Sequence, residues 1–435
     1  MRVQRSAEQI SDWLGLVPIG LAEVDSGDTA RHVACMMHIM KRHCSHCALM
    51  LLVAALAPFA RAETAAGDVP SAAVVADLPF LDWPEANRVV LNLAPEGSRP
   101  FRLMLDTGAS DSVLTPRYAK DLGVSVRRAR DRPYERDTVL GRPLQFWVDV
   151  ESSESASRTG EEYGLLGGTF LADYVLELDF VHRRVRFIDP DRFEVPKEVS
   201  DPSEAVLPLR VVGNRLIAEV SLEGKPLEVM VDTGAPITVL LSGKSARKAD
   251  FDRPYLADMR AGGVLGTTES HLVEAESLGV GPFTFRPAPL ELAPHGFYNQ
   301  GSSSDSLLGY EVLSHFKVRL DYRRKRMWLR REDEAPLAWL GVRWAAARRV
   351  GVLAAVRDGG MSVVGVFPDS PAAKLGLRPG DEIEFHRDKP REKELEDTLG
   401  AIERGERIRV LRATKEDEPP EQIELGGDPP VSPSE

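Results

Sequence analysis

Short stretches with a two-residue alternation of apolar and polar positions recur along residues 85–332. They are rich in β-branched side chains and separated by turns that contain glycine or proline, which predicts β-strands. One such strand, "LMLDTGASDSVL", carries a carboxylate, Asp106, directly after its apolar residues. The stretch "VMVDTGAPITVL" repeats this order around Asp232. The pattern predicts a mainly β chain in which two acidic residues follow buried strands.

The two stretches belong to an internal repeat, which predicts two homologous lobes at residues 85–190 and 205–332. Each copy opens with an alternating strand and enters the strand that carries Asp-Thr-Gly. It closes with Leu-Leu-Gly, a short helix and an "ELDF" or "RLDY" hairpin. Residues 191–204 are charged, contain proline and lack periodicity, so we interpret them as the linker. Residues 63–84 are expected to be a flexible lead.

A third unit is predicted at residues 338–414, where "VFPDSPAAKLGLRPGDEIEF" is its clearest stretch. In this stretch Ser370 is expected to cap a short helix and Gly376 to end it, because a hydroxyl suits the first position and glycine the last. Residues 415–435 are rich in charge and proline, which predicts a disordered tail, although "QIEL" could complete one last strand.

The charge and the motifs exclude several classes of function. The net charge of −12 repels nucleic acid and anionic membrane surfaces, so neither is expected as a partner. The sequence lacks Gly-x-Ser-x-Gly, His-Glu-x-x-His and a phosphate-binding loop. The short "HCSHC" stretch at 43–47 has no second ligand cluster after it. The sequence therefore predicts no metal and no cofactor.

Residues 1–62 are interpreted as an upstream extension followed by a signal peptide at about 40–62. Two basic residues precede the apolar run from Ala48 to Ala60, and Ala60-Arg61-Ala62 has the form of a cleavage site. Cleavage after Ala62 would make the protein periplasmic or secreted, with no membrane contact afterwards. The alternative is an uncleaved anchor in the inner membrane that faces the periplasm.

Two buried carboxylates need a common explanation, because an unpaired buried charge is unfavourable. If the lobes pack about a pseudo-two-fold axis, Asp106 and Asp232 become neighbours that share one proton. One can then activate a water as general base while the other acts as general acid. The small neighbours support the loops, and Thr107 and Thr233 are expected to hydrogen-bond across the axis. The expected supporting residues are Thr107, Gly108, Ala109, Thr233, Gly234 and Ala235.

The two Asp-Thr-Gly-Ala segments, each with a downstream Leu-Leu-Gly, resemble the retropepsin-type aspartic proteases. The resemblance covers about 245 residues and implies two β-barrel lobes around a catalytic pair, Asp106 and Asp232, that hydrolyses peptide bonds. The family also has a glycine-rich flap, for which Gly262 and Gly263 are the candidates. The first lobe offers only "DTVLGRPLQFW", so the flaps are expected to be unequal.

The C-terminal stretch "DSPAAKLGLRPGDEI" resembles a PDZ domain, an α+β fold that binds a peptide C-terminus at a sheet edge. The resemblance implies that this domain recruits or positions peptide or protein substrates. Within "WLGVRW", a carboxylate-binding loop is expected at Leu340, Gly341 and Val342; the rival turn is Gly359-Gly360. Two alternatives to an intact endopeptidase stay open. One is a non-catalytic peptide-binding protein on the same fold, and the other is pairing of each lobe with a lobe of another chain.

Overall fold

The computed structural model describes residues 68–81, 87–93, 101–121, 134–148, 164–263, 266–293, 306–339, 341–357, 359–386, 390–412 and 420–426. Residues 1–62, with the predicted signal peptide, lie outside these ranges. Within them, strands outweigh helices, so the prediction of a mainly β chain is confirmed. None of the described helices is long and apolar enough to span a bilayer.

The first lobe contains short strands joined by tight turns. Its elements are β1 (Val74–Pro79), β2 (Val90–Leu93), β3 (Phe101–Leu105), β4 (Ser112–Leu114), α1 (Pro116–Asp121), β5 (Tyr134–Val139), β6 (Arg142–Val148), β7 (Gly164–Leu166), α2 (Gly168–Leu171), β8 (Val175–Asp179) and β9 (Arg184–Ile188). Six of the strands form a sheet in the order β2-β3-β7-β4-β6-β5. The parallel pairing of β3 with β7 and of β4 with β6 places β7 beside the Asp106 loop.

The second lobe repeats this plan with a longer hairpin. Its elements are β10 (Glu204–Pro208), β11 (Arg210–Val212), β12 (Arg215–Leu222), β13 (Lys225–Val231), β14 (Val239–Ser242), α3 (Gly243–Lys248), β15 (Ala257–Gly263), β16 (Gly266–Ala275), β17 (Leu278–Val280), β18 (Phe283–Phe285), β19 (Ala288–Ala293), β20 (Leu307–Leu308), α4 (Tyr310–Leu313), β21 (Phe316–Asp321) and β22 (Arg326–Arg331). Its main sheet has the order β15-β16-β19-β14-β20-β13-β12-β17-β18, and β11 pairs with β12.

A six-stranded sheet joins the two lobes, in the order β1-β9-β8-β21-β22-β10. Each lobe supplies three strands, and the central pair, β8 and β21, is antiparallel with Glu177 opposite Arg319. These two side chains are buried, and Arg319 Nε donates to Glu177 Oε2 at 2.6 Å. A buried charge is tolerated when it is paired and hydrogen-bonded, so each of these two charges stabilises the other at the junction of the lobes.

The sequence predicted that residues 63–84 form a flexible lead, and the structure corrects this prediction in part. Residues 74–79 form β1, which pairs antiparallel with β9 at the edge of the joining sheet. Asp77 accepts hydrogen bonds from Arg184 Nε at 2.6 Å and from Arg186 Nε at 3.0 Å. Pairing with a distant strand and two arginines orders a segment whose own composition carries little signal.

The C-terminal domain, residues 338–426, has α+β structure. Its elements are β23 (Ala338–Trp339), β24 (Val342–Arg343), α5 (Trp344–Val350), β25 (Val352–Arg357), β26 (Gly360–Val366), α6 (Pro371–Leu375), β27 (Glu382–Glu384), α7 (Arg391–Arg404), β28 (Ile408–Arg412) and β29 (Glu421–Leu425). The Ser370 hydroxyl accepts from Ala373 N at 3.1 Å, and Gly376 ends α6 at φ 89°, so both helix-end predictions are confirmed. Strand β29, which includes "QIEL", lies within the tail that the sequence predicted to be disordered, and it pairs with β28. The prediction of disorder is therefore corrected for residues 421–425, and the alternative of one last strand is confirmed. The PDZ assignment stays a prediction.

Two apolar cores account for most of the buried side chains in the described ranges. The larger core fills the interiors of both lobes and continues between them. The second core belongs to the C-terminal domain, and it extends onto one face of the main sheet of the second lobe. The C-terminal domain is therefore packed against that lobe.

Candidate active site

Each acidic loop follows a buried strand that a Leu-Leu strand supports from the side. Strand β3 ends at Leu105, and the backbone N–H of Asp106 donates to Leu166 O at 3.0 Å. Strand β13 ends at Val231, and the N–H of Asp232 donates to Leu308 O at 2.9 Å. The repeated Leu-Leu pairs thus hold the first residue of each loop at the same depth.

The glycine after each Leu-Leu pair lies against the opposite side of its loop. A Cβ on Gly309 would lie 2.7 Å from the carbonyl oxygen of Ala235, and a Cβ on Gly167 would overlap the carbonyl group of Asp111. Contacts this short leave no room for a side chain. This close approach explains why both copies of the repeat carry glycine here.

Thr107 and Thr233 are fully buried and connect the two loops by reciprocal hydrogen bonds. The hydroxyl of Thr107 donates to Val231 O at 2.7 Å and accepts from the N–H of Thr233 at 3.1 Å. The hydroxyl of Thr233 donates to Leu105 O at 2.7 Å and accepts from the N–H of Thr107 at 3.2 Å. These four bonds bring the two acidic loops into one site.

Thr107→Ala is expected to lower the free energy of unfolding by about 2–4 kcal/mol, because it leaves buried Val231 O and Thr233 N–H without partners. Thr107→Ser keeps the hydroxyl and should lose much less. Urea unfolding of both variants measures the difference. Equal destabilisation by alanine and serine would show that the lost methyl group, and not the hydrogen bonds, carries the effect.

The two carboxyl groups face each other across the backbone of the loops. A Cβ on Gly234 would lie 2.8 Å from Asp106 Cγ, and a Cβ on Gly108 would lie 2.8 Å from Asp232 Oδ1. The two carboxyl groups are also close enough for each to influence the pKa of the other. Only glycine at both positions lets the backbone approach the opposite carboxyl so closely.

Backbone N–H groups stabilise each carboxylate. Asp106 Oδ1 accepts from Gly108 N and Ala109 N, each at 2.9 Å. Asp232 Oδ1 accepts from Gly234 N at 2.9 Å, and the backbone N–H of Ala235 acts to lower the pKa of this carboxyl. The supporting residues predicted from the sequence therefore all lie in the two loops that surround the acidic pair.

The environments of the two carboxyl groups differ. Burial raises the pKa of Asp106, whereas the N–H donors and the Arg88 guanidinium act in the opposite direction. Burial and the negative charge of Asp106 raise the pKa of Asp232 well above its usual range. Asp232 is also the more buried, at 8 % exposure. The two carboxyl groups therefore titrate as a coupled pair, and the direction of these shifts favours Asp232 as the protonated member.

Two residues near the pair were not identified from the sequence. Arg88 lies close enough to lower the pKa of Asp106. Tyr322 is buried; burial raises its pKa and the charge of Asp106 adds to this shift. In the described part of the chain, its hydroxyl has no hydrogen-bond partner. The signal for Tyr322 was its position in "RLDY", where the first copy has Phe180 in "ELDF".

The flap candidates lie near the end of the hairpin formed by β15 and β16. Gly262 pairs with Thr267 and Gly263 with Gly266, and the turn between them lies outside the described residues. In the first lobe, "DTVLGRPLQFW" forms the hairpin of β5 and β6. Strand β6 is paired into the sheet with β4, and the Tyr174 hydroxyl donates to Leu140 O in the turn at 2.9 Å. The hairpin of the second lobe is also paired into its sheet, through β16 and β19, but it is longer, with strands of 7 and 10 residues against 6 and 7 in the first lobe.

The predicted carboxylate-binding loop of the C-terminal domain contacts a carboxylate of the same chain. Gly341 has φ 92°, and its N–H donates to Glu311 Oε1 at 3.2 Å. Val342 is fully buried, and Leu340 lies outside the described residues. Glu311 follows the second Leu-Leu-Gly, so this contact joins the C-terminal domain to the region behind the Asp232 loop.

Residues 218–312 match a family model described as aspartyl protease. The matched segment contains Asp232 and the second Leu-Leu-Gly, so it supports an aspartyl protease at the general level. No curated protein matches the chain by sequence. Among the described residues, no cluster of three or more His, Cys, Asp or Glu side chains has the arrangement of a metal site.

Several solved structures are similar to parts of the chain. A retropepsin-like aspartic protease from Rickettsia conorii is 22 % identical over 29 % of this chain and 89 % of its own, with a TM-score of 0.22. The EIAV protease complexed with the inhibitor HBY-793 is 20 % identical over 23 % and 85 %, with a TM-score of 0.19. Basic 7S globulin from soybean is 11 % identical over 58 % and 94 %, with a TM-score of 0.33.

Proposed function

We propose that the chain is an aspartic endopeptidase that hydrolyses peptide bonds with a water held between Asp106 and Asp232. The observation that carries the proposal is that the half-buried carboxyl group of Asp106 faces the buried carboxyl group of Asp232 across two loops that Thr107 and Thr233 lock together. A locked pair that shares one proton supplies a base and an acid at the same point without rearrangement.

The directions of the two pKa shifts support one assignment of roles. The Asp106 carboxylate accepts a proton from the water, whose oxygen attacks the carbonyl carbon of the substrate. Asp232 gives its proton to the carbonyl oxygen, and a neutral tetrahedral diol forms. In the second step Asp106 returns its proton to the leaving nitrogen while Asp232 takes back a hydroxyl proton, and the C–N bond breaks. No covalent bond to the protein forms, and no cofactor takes part in this proposed sequence.

A mixed peptide library tests the proposed function. We expect cleavage that a statine-type inhibitor blocks, because the statine hydroxyl mimics the tetrahedral diol between the two carboxyl groups. A non-catalytic peptide-binding protein would bind the inhibitor and leave every peptide intact from acidic to neutral pH. Cleavage that continues at saturating inhibitor would assign the activity to another site or to a contaminant.

We further propose that the protein is exported, with its mature N-terminus at Glu63. The A-x-A form of Ala60-Arg61-Ala62 after a short apolar run supports this processing. Mass spectrometry of the exported protein is expected to find a first residue of Glu63. A mature chain that keeps residues 48–60 would contradict cleavage and favour the anchored alternative.

The role predicted for the C-terminal domain, which is to recruit or position peptide substrates, remains a proposal. The contacts of this domain with the second lobe support a more specific role.

A further inference from the structure

A row of side chains crosses the main sheet of the second lobe on the face that carries Asp232. Side chains alternate along a strand, so Met230, two residues before Asp232, lies on the same face. Direct cross-strand partners continue the row from Met230 in both directions. We call this set the Asp232-side row: Ile217, Met230, Leu307, Leu240, Glu291, Leu272 and Ala257.

The first lobe has an equivalent row on the face that carries Asp106. The same pairing rules define the Asp106-side row as Val90, Met104, Leu165, Val113 and Trp147. The two rows differ in exposure at equivalent positions. Met104 and Val113 are half-buried, whereas Met230 and Leu240 are 2 % and 3 % exposed. The face of the first lobe that carries Asp106 is therefore more exposed than the equivalent face of the second lobe.

The C-terminal domain covers the Asp232-side row. Five members of the row belong to the same apolar core as the interior of this domain, and strand β15 of the hairpin contacts β26. Ala235, in the loop that follows Asp232, also packs against this core. The C-terminal domain thus occupies the face next to Asp232. The side chains of a bound peptide would have to lie along this same face.

Glu291 is a charged residue type within this covered face, which is unusual for a hydrophobic core. It stands where the first lobe has Trp147, and it is 4 % exposed, whereas Trp147 is 36 % exposed. Its hydrogen bond among the described residues is with the Ser270 hydroxyl, at 2.6 Å. Burial of a carboxyl group is unfavourable. An apolar residue would be expected here if the C-terminal domain covered this face permanently. Glu291 therefore favours a C-terminal domain that can move away from the face.

Among the described residues, polar contacts with the second lobe include two anchoring points. Trp344 Nε1 donates to Glu274 Oε2 at 2.6 Å, and Arg348 Nε lies 3.4 Å from the same oxygen. The Gly341 N–H donates to Glu311, which also accepts from Asn87 Nδ2 of the first lobe at 2.6 Å. The segment that leads from β22 into the domain, residues 332–336, is largely exposed. The exposed connection suits a reversible position.

We propose that the C-terminal domain is an intramolecular inhibitor that covers the Asp232 half of the substrate site and has to move before a peptide can bind there. The inference rests on the proposed function, since it concerns access to the same pair of carboxyl groups. It also implies that the carboxylate-binding loop is held by Glu311 in the closed state.

Met104 and Met230 provide a test of the cover that does not depend on catalysis. They are the same residue type at equivalent positions, and peroxide oxidises exposed methionine faster than buried methionine. In the full chain, mass spectrometry is expected to find Met104 oxidised at least several times faster than Met230. Equal oxidation rates would show that the face is open and would overturn the proposal.

Arg348→Glu is the variant expected to open the cover. It places a carboxylate beside Glu274 at a position that is 42 % exposed, so folding should not be affected. Loss of one surface ion pair plus repulsion of similar size should shift the opening equilibrium about tenfold. Arg349→Glu is the matched control, because the neighbouring arginine on the same helix pairs with Glu403 inside the domain. Trp344→Phe combined with Arg348→Glu removes both contacts to Glu274.

The expected result is faster Met230 oxidation and a several-fold rise in kcat/KM for short peptides with Arg348→Glu, and neither with Arg349→Glu. Faster Met230 oxidation without a rise in kcat/KM would overturn inhibition. Protection of Met230 in the Trp344→Phe, Arg348→Glu double variant would show a fixed domain and also overturn it. If no variant cleaves peptides, the proposed function fails, and tighter binding of a statine peptide by the open variant then decides whether the cover blocks the site.

Discussion

Asp106→Asn and Asp232→Asn are each expected to abolish peptide cleavage while the fold stays intact. The two carboxyl groups act as one unit, so removal of either should lower kcat/KM by about 10³-fold or more. Asparagine has the size of aspartate, and its carbonyl oxygen can accept the N–H bonds that the loops donate. The measurement is kcat/KM on a cleaved library peptide, together with thermal unfolding.

The stability of these variants follows from the direction of the pKa shifts. Both carboxyl groups have a raised pKa, chiefly because of burial. A raised pKa means that the fold is favoured by protonation, and this contribution is lost as the pH rises through the pKa of the folded state. A neutral asparagine should therefore be at least as stable as aspartate at neutral pH. Asp111→Asn, in the same loop but outside the pair, is the control and should keep its activity. Near-normal activity of either pair variant would refute the one-site model.

Gly108→Ala is expected to lower kcat/KM by about 10²-fold, because displacement of a reacting group by about 1 Å has an effect of this size. The added Cβ would lie 2.8 Å from Asp232 Oδ1 and closer still to its Cγ, so the carboxyl group of Asp232 has to move. Gly359→Ala is the matched control, because a Cβ there meets nothing within 4 Å. Kinetics of both variants on one peptide give the comparison, and equal activities would mean that the loops tolerate the displacement.

The sequence predicted the parts of the fold that rest on local pattern and on repetition. Two copies of Asp-Thr-Gly, each with a Leu-Leu-Gly, were enough to predict paired lobes, because a two-fold arrangement is what gives two buried carboxylates a partner. The cap at Ser370 and the end at Gly376 depend on neighbouring residues alone, and both were predicted. The bonds of Thr107 and Thr233 were anticipated because a threonine after each aspartate can reach the opposite loop.

Features that depend on distant contacts were not predicted. Strand β1 lies in a stretch that reads as an alanine-rich lead. Arg184, which pairs with Asp77 in this strand, lies 107 residues later in the chain. The strands that carry the Asp232-side row show the alternation of any strand with one buried face. The second face is buried because the C-terminal domain packs on it. Glu291 gave no signal in the sequence, since a glutamate in a strand is ordinarily read as a solvent-facing residue.

The most direct test of the central claim, that one chain builds a complete site from both aspartates, is the turnover of an equimolar mixture of Asp106→Asn and Asp232→Asn. If each site lies within one chain, every site in the mixture lacks one carboxyl group, and we expect no more turnover than in either variant alone. If lobes pair between chains, the intact Asp106 loop of one variant can meet the intact Asp232 loop of the other. Recovery of turnover on mixing, blocked by a statine-type inhibitor, would contradict the account.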